Sequence, residues 1–158
     1  MPSTRRLAKR VDIVLNFDGT EVVNDHSALV EVPELQNGGR IVRADFELDL
    51  AGNATSIDFN LYNGPYDTTS TATDISARHI AYQESAIALT AGAVTHVNLR
   101  GVSAETVYYK RPRYNGMPNR NAMVADDKTV ERILADIKLL AGTGASTVTV
   151  TLYVEDIH

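Results

Sequence analysis

Apolar and polar residues alternate along nearly every apolar segment of this 158-residue chain, and a period of two is typical of β-strands that bury one face. Segment 40–50 places five apolar residues on one face, with one charged residue between each neighbouring pair: Val42, Ala44, Phe46, Leu48 and Leu50. Segment 146–156 is the clearest strand, because β-branched residues dominate it. The alternation predicts an all-β fold, either an antiparallel β-sandwich or a jelly roll.

Six further strands are expected, separated by turn-forming sequences: 11–17, 28–32, 55–62, 79–84, 94–100 and 105–109. The turn AGN at 51–53 separates two strongly alternating segments by only a few residues. This spacing predicts that strands 40–50 and 55–62 pair as an antiparallel hairpin, with Asp58 across from the acidic face of the first strand.

Segment 130–140 fits two periodicities. Its apolar residues at helical spacing would share one face of a helix capped by Asp127: Val130, Ile133, Leu134, Ile137 and Leu140. The same segment also alternates as a strand, with one face made of Ile133, Ala135, Ile137 and Leu139. We favour the strand, because the Gly-rich link GTGAS would then join it to strand 146–156 as a second hairpin.

The composition bounds the architecture. A chain of 158 residues with 44% hydrophobic residues is large enough for one domain with a substantial core. The absence of cysteine excludes disulfides and thiolate chemistry. No apolar run has the length of a secretory signal or a membrane-spanning helix. We therefore expect one domain at 11–158, preceded by an extended arm at 1–10, and no association with membranes.

Two segments concentrate the positive charge. The arm MPSTRRLAKR (1–10) and the segment KRPRYNGMPNR hold eight of the 15 Lys and Arg residues and none of the 20 acids. The rest of the chain has seven basic residues against 20 acidic ones, a formal charge of −13. We expect these cations to bind acidic surfaces of a protein partner rather than nucleic acid: Arg5, Arg6, Lys9, Arg10, Lys110, Arg111, Arg113 and Arg120. Two prolines and a glycine predict that 110–121 is a protruding loop.

The sequence carries no recognisable catalytic or metal-binding motif. The four histidines are scattered, and GxSxG, GxGxxG and Walker-type loops are absent. His96 has the parity of an exposed residue. Asp45, Glu47 and Asp49 share one strand face that offers oxygen ligands for Ca²⁺, although a solvated polar face explains them better. We expect no enzymatic activity and no cofactor.

The stretch GGRIVRADFELDLAGNATSIDFNLYNGPYDTTSTATDI (38–75) resembles a widespread set of small bacteriophage structural proteins. In that set a Gly-Gly turn leads into a strand, a polar turn and a second strand ending in a Leu-aromatic pair. A turn with Pro and a Thr-rich loop ending in Asp follow. The matching residues here are Gly38, Gly39, Ile57 through Leu61 and Tyr62, Pro65 and Asp74, with the closing strand VTVTLYVED. The resemblance covers about residues 22–109 and 130–156, and leaves both basic segments outside.

The resemblance implies a virion structural protein, and most directly a head decoration (cement) protein on the outer surface of a capsid. Its partners would be the major capsid protein or neighbouring virion subunits. A homotrimer would suit the threefold symmetry of capsomer junctions. A tail, baseplate, neck or fibre component is the alternative. A carbohydrate-binding module for host attachment is a further one, with aromatic platforms from Tyr62, Tyr66, Tyr108 and Tyr109.

Overall fold

A computed structural model describes residues 8–65, 79–100, 108–109, 131–143 and 145–155. These residues form nine β-strands and one short 3-10 helix, Pro33–Leu35, and none of them lies in an α-helix. The strands are β1 (Lys9–Phe17), β2 (Val30–Glu31), β3 (Gly39–Leu48), β4 (Ala54–Pro65), β5 (His79–Ala88), β6 (Val94–Asn98), β7 (Tyr108–Tyr109), β8 (Glu131–Gly142) and β9 (Ser146–Glu155). The all-β prediction is confirmed. Within these residues no helix is long and apolar enough to span a bilayer.

The strands form two antiparallel sheets. The first sheet has the order β1-β9-β3-β6, and β7 adds a short pairing to the start of β3. The second sheet has the order β2-β8-β4-β5. Strands that are adjacent in one sheet are therefore mostly distant in sequence, and the fold depends on long-range pairing.

Both sheets bury their apolar faces against one shared core. That core takes alternate residues from β1, β3 and β9 on one side and from β4, β5 and β8 on the other. Phe46 of the first sheet and Phe59 of the second meet edge to face at its centre, and Tyr82 stacks on Phe59 in the same manner. Burial of these side chains is the main favourable contribution to folding.

Segment 130–140 is a strand, as favoured from its alternation. Ile133, Ala135, Ile137 and Leu139 point into the shared core. Leu134 lies on the opposite face, packed with Leu29 and Tyr62. The chain between β1 and β2 covers part of this outer face, because the backbone of Ser27 donates to the carbonyl of Ile137. The strand is thus buried on both faces.

Both predicted hairpins are wrong. β3 pairs with β6, β7 and β9, whereas β4 pairs with β5 and β8, and β9 pairs with β1 and β3. The AGN turn and the link after Gly142 carry the chain from one sheet to the other. Alternation shows that each of two consecutive strands buries one face. It does not show whether the two strands lie side by side in one sheet or face each other across the core from opposite sheets. Asp58 accordingly faces β5, where its Oδ1 accepts from the backbone of Ala86 at 2.8 Å.

β3 departs from simple alternation at one point. Between Ile41 and Arg43 two residues of β3 oppose one residue of β9, which is a β-bulge. Ile41 and Ala44 both face the core, and Val42 and Arg43 both lie on the outer face. Val42 and Leu50 were both predicted on the apolar face, and both predictions are wrong: the bulge turns Val42 to the outer face, and Leu50 is exposed in the turn after β3.

Candidate docking surface

The structure describes two of the eight cations expected to bind a partner. Lys9 and Arg10 are the first residues of β1, where they pair with Val154 and Tyr153. β1 therefore begins two residues earlier than predicted. The other six fall outside the described residues: Arg5, Arg6, Lys110, Arg111, Arg113 and Arg120.

The attachment points of the two basic segments lie at the same end of the first sheet. Lys9, where the arm joins β1, pairs with Val154, which also pairs with Ile41 of β3. Next to Ile41, Arg40 pairs with Tyr108 of β7, two residues before the basic segment begins. Three strand spacings of about 4.8 Å separate Lys9 from Tyr108, or about 15 Å. We call this end of the sheet the arm end.

A groove of about 570 Å³ opens on the outer face of the first sheet beside the arm end. We call it the outer groove. Its floor includes Val42, which the bulge turns outward and which is almost fully buried. Its lining comes from β3, β6 and β9, from the residue before β1 and from the chain after β6: Ala8, Val42, Arg43, His96, Asn98, Arg100 and Tyr153. Ala8 is the residue at which the arm reaches the sheet.

Arg43 is held in place by three neighbours. Its Nε donates to Oδ1 of Asp45 at 2.9 Å, and its guanidinium carbon lies 5.3 Å from the centroid of the Tyr153 ring, a cation–π contact. The hydrogen bond to Asp45 raises the pKa of Arg43. Nη2 of Arg43 lies 2.8 Å from Nδ1 of His96.

Nδ1 of His96 also lies 2.7 Å from Oδ1 of Asp45. A guanidinium only donates and a carboxylate only accepts, so the same nitrogen serves one of them at a time. Unprotonated, it accepts from Arg43; protonated, it donates to Asp45. Burial acts to raise the pKa of Asp45, but hydrogen bonds from Arg43 and His96 outweigh it and hold that pKa below its usual value.

Cross-strand pairing arranges the outer face of this sheet in rows. Arg10, Tyr153, Arg43 and Asn98 form one row across β1, β9, β3 and β6. Asp12, Thr151, Asp45 and His96 form the next. Each arginine bonds the aspartate two residues along its own strand, because such residues share a face. Asp12 also accepts from the Thr151 hydroxyl, and this bond is the main cause of its lowered pKa.

The basic side chains of the outer groove are much more exposed than the carboxylates that bond them. Side-chain exposure is 45% for Arg43, 57% for His96 and 61% for Arg100. It is 12% for Asp45 and 14% for Glu155, which bonds Nη2 of Arg100 at 3.0 Å. The carboxylates lie beneath the surface and hold the cations, so hydrogen-bond donors are what the groove presents to a partner.

A second polar cluster lies on the outer face of the second sheet. Asp136 is fully buried; its Oδ1 accepts from Nδ2 of Asn60 at 3.0 Å and from the Tyr62 hydroxyl at 2.9 Å. Its Oδ2 lies 2.8 Å from Nδ1 of His26. The cluster is covered by the chain before β2, so it ties that chain to the sheet rather than meeting a ligand.

The predicted tyrosine platforms and the polar face of β3 differ from the structure where it describes them. Tyr62 is 1% exposed and bonded to Asp136, so its proposed role as an aromatic platform is wrong. Tyr66 lies outside the described residues, as do the side chains of Tyr108 and Tyr109. Asp45 is buried in an ion pair rather than solvated, whereas His96 is exposed as predicted. In the described part of the chain no three His, Asp or Glu residues gather as metal ligands.

Sequence reasoning missed Arg43, His96 and Arg100. All three occupy outward positions of alternating segments, and H-x-N-x-R, which runs from β6 into the chain after it, is a visible polar row. Their convergence depends on β3 lying between β9 and β6, which local pattern does not encode. Neither protein-family models nor curated proteins match this chain.

Proposed function

We propose that this chain is a non-enzymatic structural protein of a bacteriophage virion, which docks on the outside of the head as a decoration protein. The observation that carries the proposal is that the residues from which both basic segments continue lie at the arm end. Lys9 and Tyr108 are about 15 Å apart on one sheet. Two basic segments that leave the domain from one end of a sheet suit a protein that binds a neighbouring surface.

The strand pairing supports a jelly roll as the finer description of the fold. With β7 set aside, the first of the remaining eight strands pairs with the last, and the second with the next to last. The third pairs with the sixth, and the fourth with the fifth. This nested order divided between two sheets is that of a jelly roll, an architecture found in viral capsid and lectin domains.

The charge distribution supports a protein surface as the partner. Outside the two basic segments the chain has a formal charge of −13, which opposes approach to a nucleic-acid backbone. Single carboxylates on a capsid subunit match arginines in bidentate geometry without that long-range repulsion. A trimer at a threefold junction would present three arms and three loops together, so avidity would strengthen modest individual contacts.

The test is binding of the purified full chain to heads that lack decoration, compared with two variants. The first deletes residues 2–7, which leaves Lys9 and Arg10 in place because they pair with β9. The second reverses charge at Arg111 and Arg113. Both variants are expected to bind more weakly at low salt and to lose less affinity than the wild type as salt is raised, because they make fewer attractive ionic contacts, at an unchanged melting temperature.

Lys138→Glu on β8 is the matched control, because it reverses a charge on the other sheet. Full occupancy by both docking variants would refute the docking role of the basic segments. A fall in melting temperature for the Arg111/Arg113 variant would indicate that the loop is structural. Location of the chain in particle images distinguishes a head protein from a tail, baseplate or neck component.

A further inference from the structure

The outer groove has features of a binding site that the two basic segments do not explain. Arg43 and Arg100 line it from β3 and from the chain after β6, and Tyr153 lines it from β9. Each arginine is fixed by one carboxylate, Asp45 and Glu155 respectively. A guanidinium has five N–H donors, so each retains several that point away from its carboxylate.

The groove is polar at its rim and apolar at its floor. The half-buried Tyr153 ring offers apolar surface above the buried Val42, while Asn98 uses its Oδ1 to accept from the backbone of Arg100 at 3.1 Å. The buried acids leave little acceptor capacity exposed. A ligand here must supply acceptors, and two fixed guanidinium groups suit a carboxylate.

We propose that the outer groove binds a carboxylate side chain, Asp or Glu, carried on an extended acidic segment of a protein partner, with the carboxylate held between Arg43 and Arg100. The inference rests on the proposed docking function, because it makes the outer groove a part of the docking surface that lies on the sheet itself, beside the points where the two basic segments connect. The methylene stem of the acidic residue packs on the Tyr153 ring.

A protein carboxylate suits the groove better than a nucleic acid for two reasons. Each guanidinium is already paired with its own carboxylate, which reduces its attraction for a dense run of phosphates. The surrounding domain is strongly acidic, and repulsion grows with the number of negative charges brought near it.

The test uses a hexaglutamate peptide added to the full-length isotope-labelled protein, with a hexaglutamine peptide and an oligothymidylate as comparison ligands. Saturable amide shifts are expected at Val42, Arg43, Arg100 and Tyr153 with hexaglutamate only. Arg100→Gln, whose ion pair is exposed, is expected to weaken this binding about tenfold. Lys138→Gln removes an equal charge from the other sheet and is expected to leave the affinity unchanged.

The outcomes separate this inference from the proposed function. Normal binding of Arg43→Gln and Arg100→Gln to undecorated heads, with no peptide shifts in the groove, would overturn the inference and leave the docking function standing. Peptide shifts in the groove without any binding of the wild-type protein to heads would leave the groove site standing and count against the decoration role. Stronger binding of oligothymidylate than of hexaglutamate would assign the groove to nucleic acid instead.

Discussion

The ring of Phe46 on β3 meets the ring of Phe59 on β4 edge to face, with 5.6 Å between their centroids. The two residues belong to strands that are consecutive in the chain but lie in opposite sheets. Their contact therefore marks the point where the two sheets close on each other, and both rings are fully buried.

Phe59→Ala is expected to lower the free energy of unfolding by about 3–5 kcal/mol, because it removes a buried ring and leaves a cavity between the sheets. Urea denaturation followed by circular dichroism measures the loss. Val14→Ala on the exposed edge of β1 is the control, with a change within about 0.5 kcal/mol. Equal losses for the two variants would contradict a core centred on Phe59.

Asp136→Ala is expected to destabilise the fold by at least about 2 kcal/mol, because it removes a buried acceptor that Asn60 and Tyr62 share. Asp136→Asn keeps a carbonyl oxygen for those two donors and is expected to cost less. Denaturation midpoints at constant slope make the comparison. If the asparagine variant loses as much as the alanine variant, the carboxylate charge matters more than the donors.

Asp45 is expected to make stability depend on pH in acid. Its pKa in the fold lies below the value of 3.8 assigned to a free aspartate, so the ionised form is favoured by folding. The stabilisation is complete above the unfolded-state pKa and is lost as the pH falls through the lower folded-state pKa. Urea denaturation from about pH 6 down to about pH 2 should give a shallower acid limb for Asp45→Asn than for the wild type.

Asp12 retains its own lowered pKa, so a residual slope is expected in the Asp45→Asn variant. An acid limb of unchanged steepness in that variant would mean that the ion pair with Arg43 contributes nothing to the pH dependence.

Substitution of Gly142, the last residue of β8, tests how closely the chain packs there, and Gly19, which follows β1, is the comparison position. Both have positive φ, +99° and +105°, so alanine is strained at either. At Gly142 the added Cβ also meets the carbonyl oxygen of Asn53 and lies 2.8 Å from Cα of Ala54, whereas at Gly19 the nearest atom is 3.3 Å away. Gly19→Ala is expected to cost about 1–3 kcal/mol and Gly142→Ala clearly more. Similar melting temperatures for both would argue against close packing at this turn.

The strands could be predicted from the sequence because their alternation is local. Two-residue spacing alone places Val148 and Phe46 on the buried faces of their strands. It does not tell which strand lies beside each of them. A short turn such as 51–53 permits either a hairpin or a crossing to the opposite sheet, and only the assembled core favours the second. In both predicted hairpins the segments are strands, as expected, but the strands face each other across the core instead of pairing.

For the candidate docking surface, too, the sequence indicates the local features but not how they come together. The basic arm and loop are visible as charge runs, but the row that joins Arg10, Tyr153 and Arg43 needs β9 between β1 and β3. That strand is the last that the structure describes, and it pairs with residues 100 or more positions earlier. Cations brought together by such pairing leave no local signature.

The extra residue in β3 has an evolutionary consequence. Val42 interrupts the pairing with β9 once, and it leaves Ile41 and Ala44 in the core on either side. Loss of this one residue would restore one-to-one pairing with β9 and reshape the floor of the outer groove, while the apolar positions after it would keep their partners. The proposed docking surface can therefore change at this position without a compensating change in the interior.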